Sequence, residues 1–215
     1  MCKIKRYNFS LIELVAATAI FAILMVLVMN MFSSALDILS KNASNTKMSA
    51  AAQTTLDYLE ERLINCDKDT LKDNFSTNDT ETLYPVEGAP LKFKTSVNIS
   101  DSIDLNERRY GEFSVKLQCP ANDDDWSLQV KFDSNDSAGK YNEDFTTILG
   151  NVTNFIVSAL DSGMQLTKSD ICYVKVDILV LSPDDFATWY ADGKDYNSEF
   201  YKEKVFIYSR IIALP

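Results

Sequence analysis

Glu13 is the residue whose setting most needs a chemical explanation. It lies in the run FSLIELVAATAIFAILMVLVM at 9–29, where the other polar residues are Ser10 and Thr18. A carboxylate among apolar neighbours is costly alone and tolerable when a cation or hydrogen-bond donors meet it. One partner is close in sequence. Ser10 and Glu13 have the S-x-x-E spacing of a capping box, in which each side chain satisfies an orphan N–H of a helix's first turn. The positive end of the helix dipole favours a negative charge at the same place.

Other chemistry is thinner. The chain contains no histidine, which excludes histidine triads, histidine general bases and histidine metal ligands together. Its six glycines are scattered and build neither a P-loop nor a dinucleotide fingerprint. Asp123, Asp124 and Asp125 invite a calcium reading. In the nearby DSNDSAGK (133–140), however, Gly139 falls one place late for an EF-hand loop. Acidic turns are usually solvated, so no metal site is assigned and no cofactor is expected. With 31 Asp and Glu residues, chance carboxylate pairs are too common to mark a glycosidase. Trp126, Trp189 and the ten tyrosines fit cores and interfaces better than a ligand surface. Sequons such as the one at 98–100 arise readily in polar turns. The chain therefore reads as non-enzymatic.

Cys2, Cys66, Cys119 and Cys172 form no CxxC pair, which disfavours zinc. The last three are compatible with one disulfide plus a thiol in an oxidising compartment, or with three buried thiols. The spacing leaves both open. The net charge is −10, and nucleic acid is excluded as a partner because phosphate binding needs a surplus of Lys and Arg. Lys3, Lys5 and Arg6 all precede Asn8, so the chain without those three cations carries −13. An acidic body of this kind favours solubility.

The element that must position Glu13 is a helix in an apolar solvent. The 21 residues 9–29 span roughly 32 Å at 1.5 Å each, about the hydrocarbon thickness of a bilayer. Twelve of them are Leu, Ile, Val or Phe and contribute roughly −4 to −7 kcal/mol toward insertion. A carboxylate at the helix centre costs about 3 kcal/mol, and less near an end, so insertion wins. Three cations precede the run, while Lys41 and Lys47 follow it before residue 50. That bias keeps the N-terminus cytoplasmic and sends the body outward. A cleaved secretory signal, with Ser33 and Ala35 near the cut, fits less well. The apolar run is longer than a usual signal core and carries a carboxylate near its start.

The stretch 3–29 resembles the prepilin-type N-terminal segment of type IV pilins and type II secretion pseudopilins. The resemblance lies in the basic leader KIKRYN, then Phe9, then SLIEL with glutamate fifth from Phe9, then the apolar helix. It implies cleavage between Asn8 and Phe9 by a prepilin peptidase, followed by methylation of Phe9. It also implies that Glu13 meets the N-terminal amine of a neighbouring subunit, and that Leu14, Ile20 and Leu24 pack against other pilin helices. The family usually has glycine before the cut, where this chain has Asn8. Element order in the C-terminal half looks loosely like the larger minor pseudopilins of the J type and related cassette pseudopilins.

Helix-compatible sequence continues to about Cys66. Ala52, Leu56, Leu59, Leu63 and Cys66 recur at spacings of four and three, one apolar stripe on an amphipathic helix. The segment KNASNTK (41–47) is polar all round and leaves room for a bend or local melting. Residues 67–82 read as a surface loop or a frayed extension of the helix. Alternation at 91–98, 112–118 and 127–132 predicts antiparallel strands, with turn composition at 121–126 and 133–140. Residues 152–160, 173–181 and 204–214 are further strands. PDDFATWY (183–190) predicts a short helix capped by Ser182 with Pro183 first.

The expected fold class is α+β and pilin-like, a long N-terminal helix packed on an antiparallel β-sheet head. The expected organisation is a leader at 1–8, a transmembrane helix at 9–32, an amphipathic helix at 33–66 and an extracytoplasmic head at 67–215. The resemblance implies a minor or priming subunit of a pilus-like or secretion filament. It would be a single-pass protein of a bacterial inner membrane, with its head periplasmic or extracellular. Its partners would be other pilin-like subunits, a prepilin peptidase and an inner-membrane assembly platform. The alternative is a membrane-anchored extracytoplasmic binding or sensor domain that does not assemble.

Overall fold

A computed structural model describes residues 10–75, 90–98, 108–119, 126–136, 139–142, 144–167 and 170–215. The leader at 1–8, Phe9, the aspartates 123–125 and the second half of the expected 67–82 loop lie outside them. Helix α1 (Leu11–Ile64) is followed by α2 (Lys68–Lys72), β1 (Leu91–Asn98), β2 (Arg108–Gln118), β3 (Ser127–Asp136), β4 (Gly139–Asn142) and β5 (Thr146–Gly150). Then come β6 (Val152–Leu160), β7 (Tyr173–Val180), α3 (Pro183–Ala191), α4 (Glu199–Lys204) and β8 (Phe206–Ala213). The fold is α+β. Two compact units divide the chain, Met1–Lys47 and Met48–Pro215.

Helical hydrogen bonding is unbroken through the polar segment 41–47, whose composition left room for a bend or local melting. One of its polar side chains bonds back to the helix itself. Thr46 Oγ1 donates to the Asn42 carbonyl one turn back at 2.8 Å, which a helix tolerates.

In the unit from Met48, the predicted stripe is buried throughout. Ala52, Leu56, Leu59, Leu63 and Cys66 join Met48 in one core. Phe93, Phe113, Val115, Val130 and Phe132 reach this core from one sheet, and Phe155, Val157, Val174, Val176, Ile178 and Ile212 from another. The head thus contains two antiparallel sheets where one was expected. One has the order β1-β2-β3-β4 with β5 also paired to β3, and the other the order β6-β7-β8. The break falls on Asn151, the single residue between β5 and β6, at φ 55°. Asparagine tolerates this left-handed conformation, and one such residue redirects the chain from one sheet to the next.

Other differences are local. The stretch 133–140 was read as a loop, but its first half extends β3 and Gly139 begins β4, giving a hairpin. Part of the predicted 67–82 loop is α2, whose N-cap Asp67 accepts the Asp69 N–H at 3.0 Å. Leu71 and Phe75, four apart, are buried beneath it. Polar composition hid these two anchors. On β2, Gly111 has no substitute, since a Cβ there would collide with the Asp133 carbonyl of β3.

Helix α3 starts as predicted, with Ser182 Oγ accepting the Asp185 N–H at 3.2 Å and Pro183 in the first turn. The unanticipated α4 is capped by Ser198, whose Oγ accepts the Tyr201 N–H at 3.1 Å. Together the two helices bury Phe186, Trp189 and Tyr201 with Trp126 and Leu181 in a second, aromatic cluster.

Candidate functional site

The capping box expected at the start of α1 is formed. The Ser10 N–H donates to Glu13 Oε2 at 2.9 Å, and the Glu13 N–H donates to Ser10 Oγ at 3.3 Å. The Leu14 N–H closes the first turn on the Ser10 carbonyl at 3.2 Å. Two donors that would otherwise be orphaned are satisfied, and the carboxylate sits at the positive end of the helix dipole. Asn8 and Phe9, the predicted cleavage and methylation positions, lie outside the described residues.

Behind this carboxylate the helix is bare. Leu14, Ile20 and Leu24 are each more than half exposed, and so are most large apolar residues from Leu11 to Leu39. At 100° per residue, Ile20 and Leu24 fall within about 20° of Glu13 around the helix, while Leu14 stands about a quarter-turn away. The apolar surface therefore encircles the helix and does not form a single stripe. Its hydroxyls turn inward: Thr18 Oγ1 donates to the Val15 carbonyl at 2.9 Å and Ser34 Oγ to Asn30 at 3.0 Å. Fully burying one such apolar side chain is worth about 1.5–3 kcal/mol. Leaving this many in water forgoes tens of kcal/mol by the same measure, far beyond what an isolated helix could offset. Among the described residues, α1 is the one helix long and apolar enough to cross a membrane.

The described residues of the head bear on the other groups considered. Among the described residues, no group of three or more His, Cys, Asp or Glu side chains converges as metal ligands would. Trp126 and Trp189 are buried in the aromatic cluster with their rings nearly perpendicular, 5.6 Å between centroids. No disulfide joins Cys66, Cys119 and Cys172 to one another. Burial pushes the Cys66 thiol up to about 11, with the Asp67 charge adding to the shift.

Sequence reasoning missed Arg210 on β8. Its guanidinium pairs with both Asp57 and Glu60 of α1. Asp57 and Glu60 are three apart on the helix surface, a spacing that presents two carboxylates to one cation. Nothing local in the sequence links them to a residue about 150 positions later.

Comparison with protein-family models and with curated proteins finds no match for this chain. Fold and site by themselves define an α+β protein of pilin-like layout: a long apolar N-terminal helix whose second half packs on antiparallel sheets.

Proposed function

We propose that this chain is a non-enzymatic subunit of a pilus-like or type II secretion filament, of the minor or priming kind. The observation that carries the reading is Glu13 in the first turn of a helix left apolar and exposed on every side. Such a surface can be covered by lipid before assembly and by neighbouring helices after it. A carboxylate at its mouth gains most from a cation supplied by another chain, so it favours the assembled state. The N-terminal amine of a processed neighbour would be that cation. The partners are then other pilin-like subunits, a prepilin peptidase and an inner-membrane platform. The acidic head lies outside the cytoplasm, with the basic leader inside.

Intact-mass measurement and N-terminal sequencing of the membrane-extracted protein test this. A chain beginning at methylated Phe9 is expected, together with loss of assembly in Glu13→Ala. An intact Met1 with unchanged behaviour of Glu13→Ala sinks the reading.

The second reading, a tethered binding or sensor domain that never assembles, is favoured by one observation. The reciprocal Ser10–Glu13 bonds already satisfy the carboxylate within its own chain. On that reading, Glu13→Gln keeps the cap and all activity of the anchored head.

A further inference from the structure

Sheet edges in the head are treated unequally. The outer edge of β1 is filled by side chains from the α2 region. The Asn74 carboxamide donates to the Lys92 carbonyl and accepts the Lys92 N–H at 2.8 Å. Thr70 Oγ1 accepts the Lys94 N–H at 2.9 Å, and the Asp67 N–H reaches the Lys94 carbonyl at 2.8 Å. These groups imitate a neighbouring strand and close that edge to other chains.

β8 is the opposite case. It ends the order β6-β7-β8, and no described strand pairs with its outer side. The Leu181 N–H bonds to Asn151 on the β6 side, and the Cys172 carbonyl accepts from Leu214 on the β8 side. In β7 the odd-numbered residues therefore turn their main-chain groups toward β6 and the even-numbered ones toward β8. The register, running from Tyr173↔Ala213 to Val180↔Phe206, carries this alternation across. The N–H and C=O groups of Ile207, Ser209, Ile211 and Ala213 consequently point to the open edge. All four side chains are exposed, Ile207 by 60% and Ile211 by 50%. The strand has no proline, lysine or bulge to discourage pairing, and its one charge, Arg210, is drawn to Asp57 and Glu60.

We propose that β8 is a docking edge for a second copy of this chain, paired antiparallel about a two-fold axis through Ser209. The occupant is argued from self-complementarity. That register places Ile207 opposite Ile211 of the second copy, both exposed and the pair occurring twice. Apolar side chains thus meet apolar ones across the edge. An axis through Arg210 would instead set the two arginines against each other. Among the described residues, the main-chain groups used have no partner strand. The proposal does not depend on the filament reading.

The test uses the full chain in detergent micelles. A benzophenone amino acid at position 207 is irradiated and the product mapped by mass spectrometry. Attachment within 209–213 of a second chain is expected. Attachment elsewhere, or oligomers lacking this crosslink because α1 alone joins them, overturns the proposal. Sedimentation of Ile207→Lys should show association weakened about tenfold or more. The double variant Ile207→Lys with Ile211→Glu should recover it, because each lysine then faces a glutamate, and added salt should reverse the recovery. Unchanged association in Ile207→Lys, or a double variant no better than the single, also overturns the proposal. The crosslink needs neither variant to fold.

Discussion

One helix, α1, follows two different rules along its length. From Leu11 to Leu39 nearly every large apolar side chain is exposed, and the apolar surface runs all the way round. From Met48 to Leu63 the apolar residues form a stripe that is almost fully buried, with Asp57, Glu60 and Glu61 off it. Backbone geometry is common to both halves, so the difference lies in the solvent each half is built for. A helix apolar on every side belongs in lipid or among other helices, and a striped one belongs on a protein core.

Substitutions in the two halves should therefore have effects in different measurements. The largest contrast is Leu59→Ala against Leu24→Ala. Leu59 is 2% exposed, and truncating it should cost the head about 2–5 kcal/mol in thermal or denaturant unfolding. Leu24→Ala should leave head stability within about 0.5 kcal/mol. Equal losses in both would erase the distinction. Next is Leu24→Lys, which places a cation near the middle of the apolar run. It should disfavour insertion by about 3 kcal/mol, read as a reduced membrane-extracted fraction, with the head's unfolding curve unchanged.

Smaller effects sharpen the comparison. Arg210→Ala should cost about 1 kcal/mol of head stability, because its two carboxylate partners are partly solvent-exposed and screened. Ser10→Ala should loosen only the first turn of α1, by about 1 kcal/mol, seen as faster amide exchange at Glu13 and nowhere in the head. The smallest concerns pH. Cys66 is held protonated when folded, so its contribution to stability is complete below the ordinary thiol value of 9.0. It is lost as pH rises toward about 11. Between pH 6 and 8 the melting temperature should show no dependence on Cys66→Ser beyond a constant offset.

Patterns repeated within a few residues were legible from sequence. The stripe from Ala52 to Cys66, the bounds of β1 and β6, and the Ser182–Pro183 helix start all rest on local periodicity or on one cap. The Ser10–Glu13 box was equally local. What escaped depends on distance or on sparse anchors. The stretch 67–75, which includes α2, is polar except for Leu71 and Phe75, so composition described its surface and concealed its attachment. The division into two sheets turns on the φ of one asparagine, which no alternation of apolar residues records. Arg210 finds its carboxylates only after the chain has folded back on itself.

The shared core under α1 also has a mechanical consequence. Any force that slides the segment from Met48 to Leu63 along its own axis meets the head along its whole length. There it runs along a row of interlocked side chains, from Ala52 to Leu63, loaded in shear. Two fastenings act beside that row. Arg210 grips Asp57 and Glu60 from β8, and Thr95 Oγ1 of β1 donates to the Arg62 carbonyl at 2.8 Å. Because the fastenings reach different sheets, such a force bears on both of them.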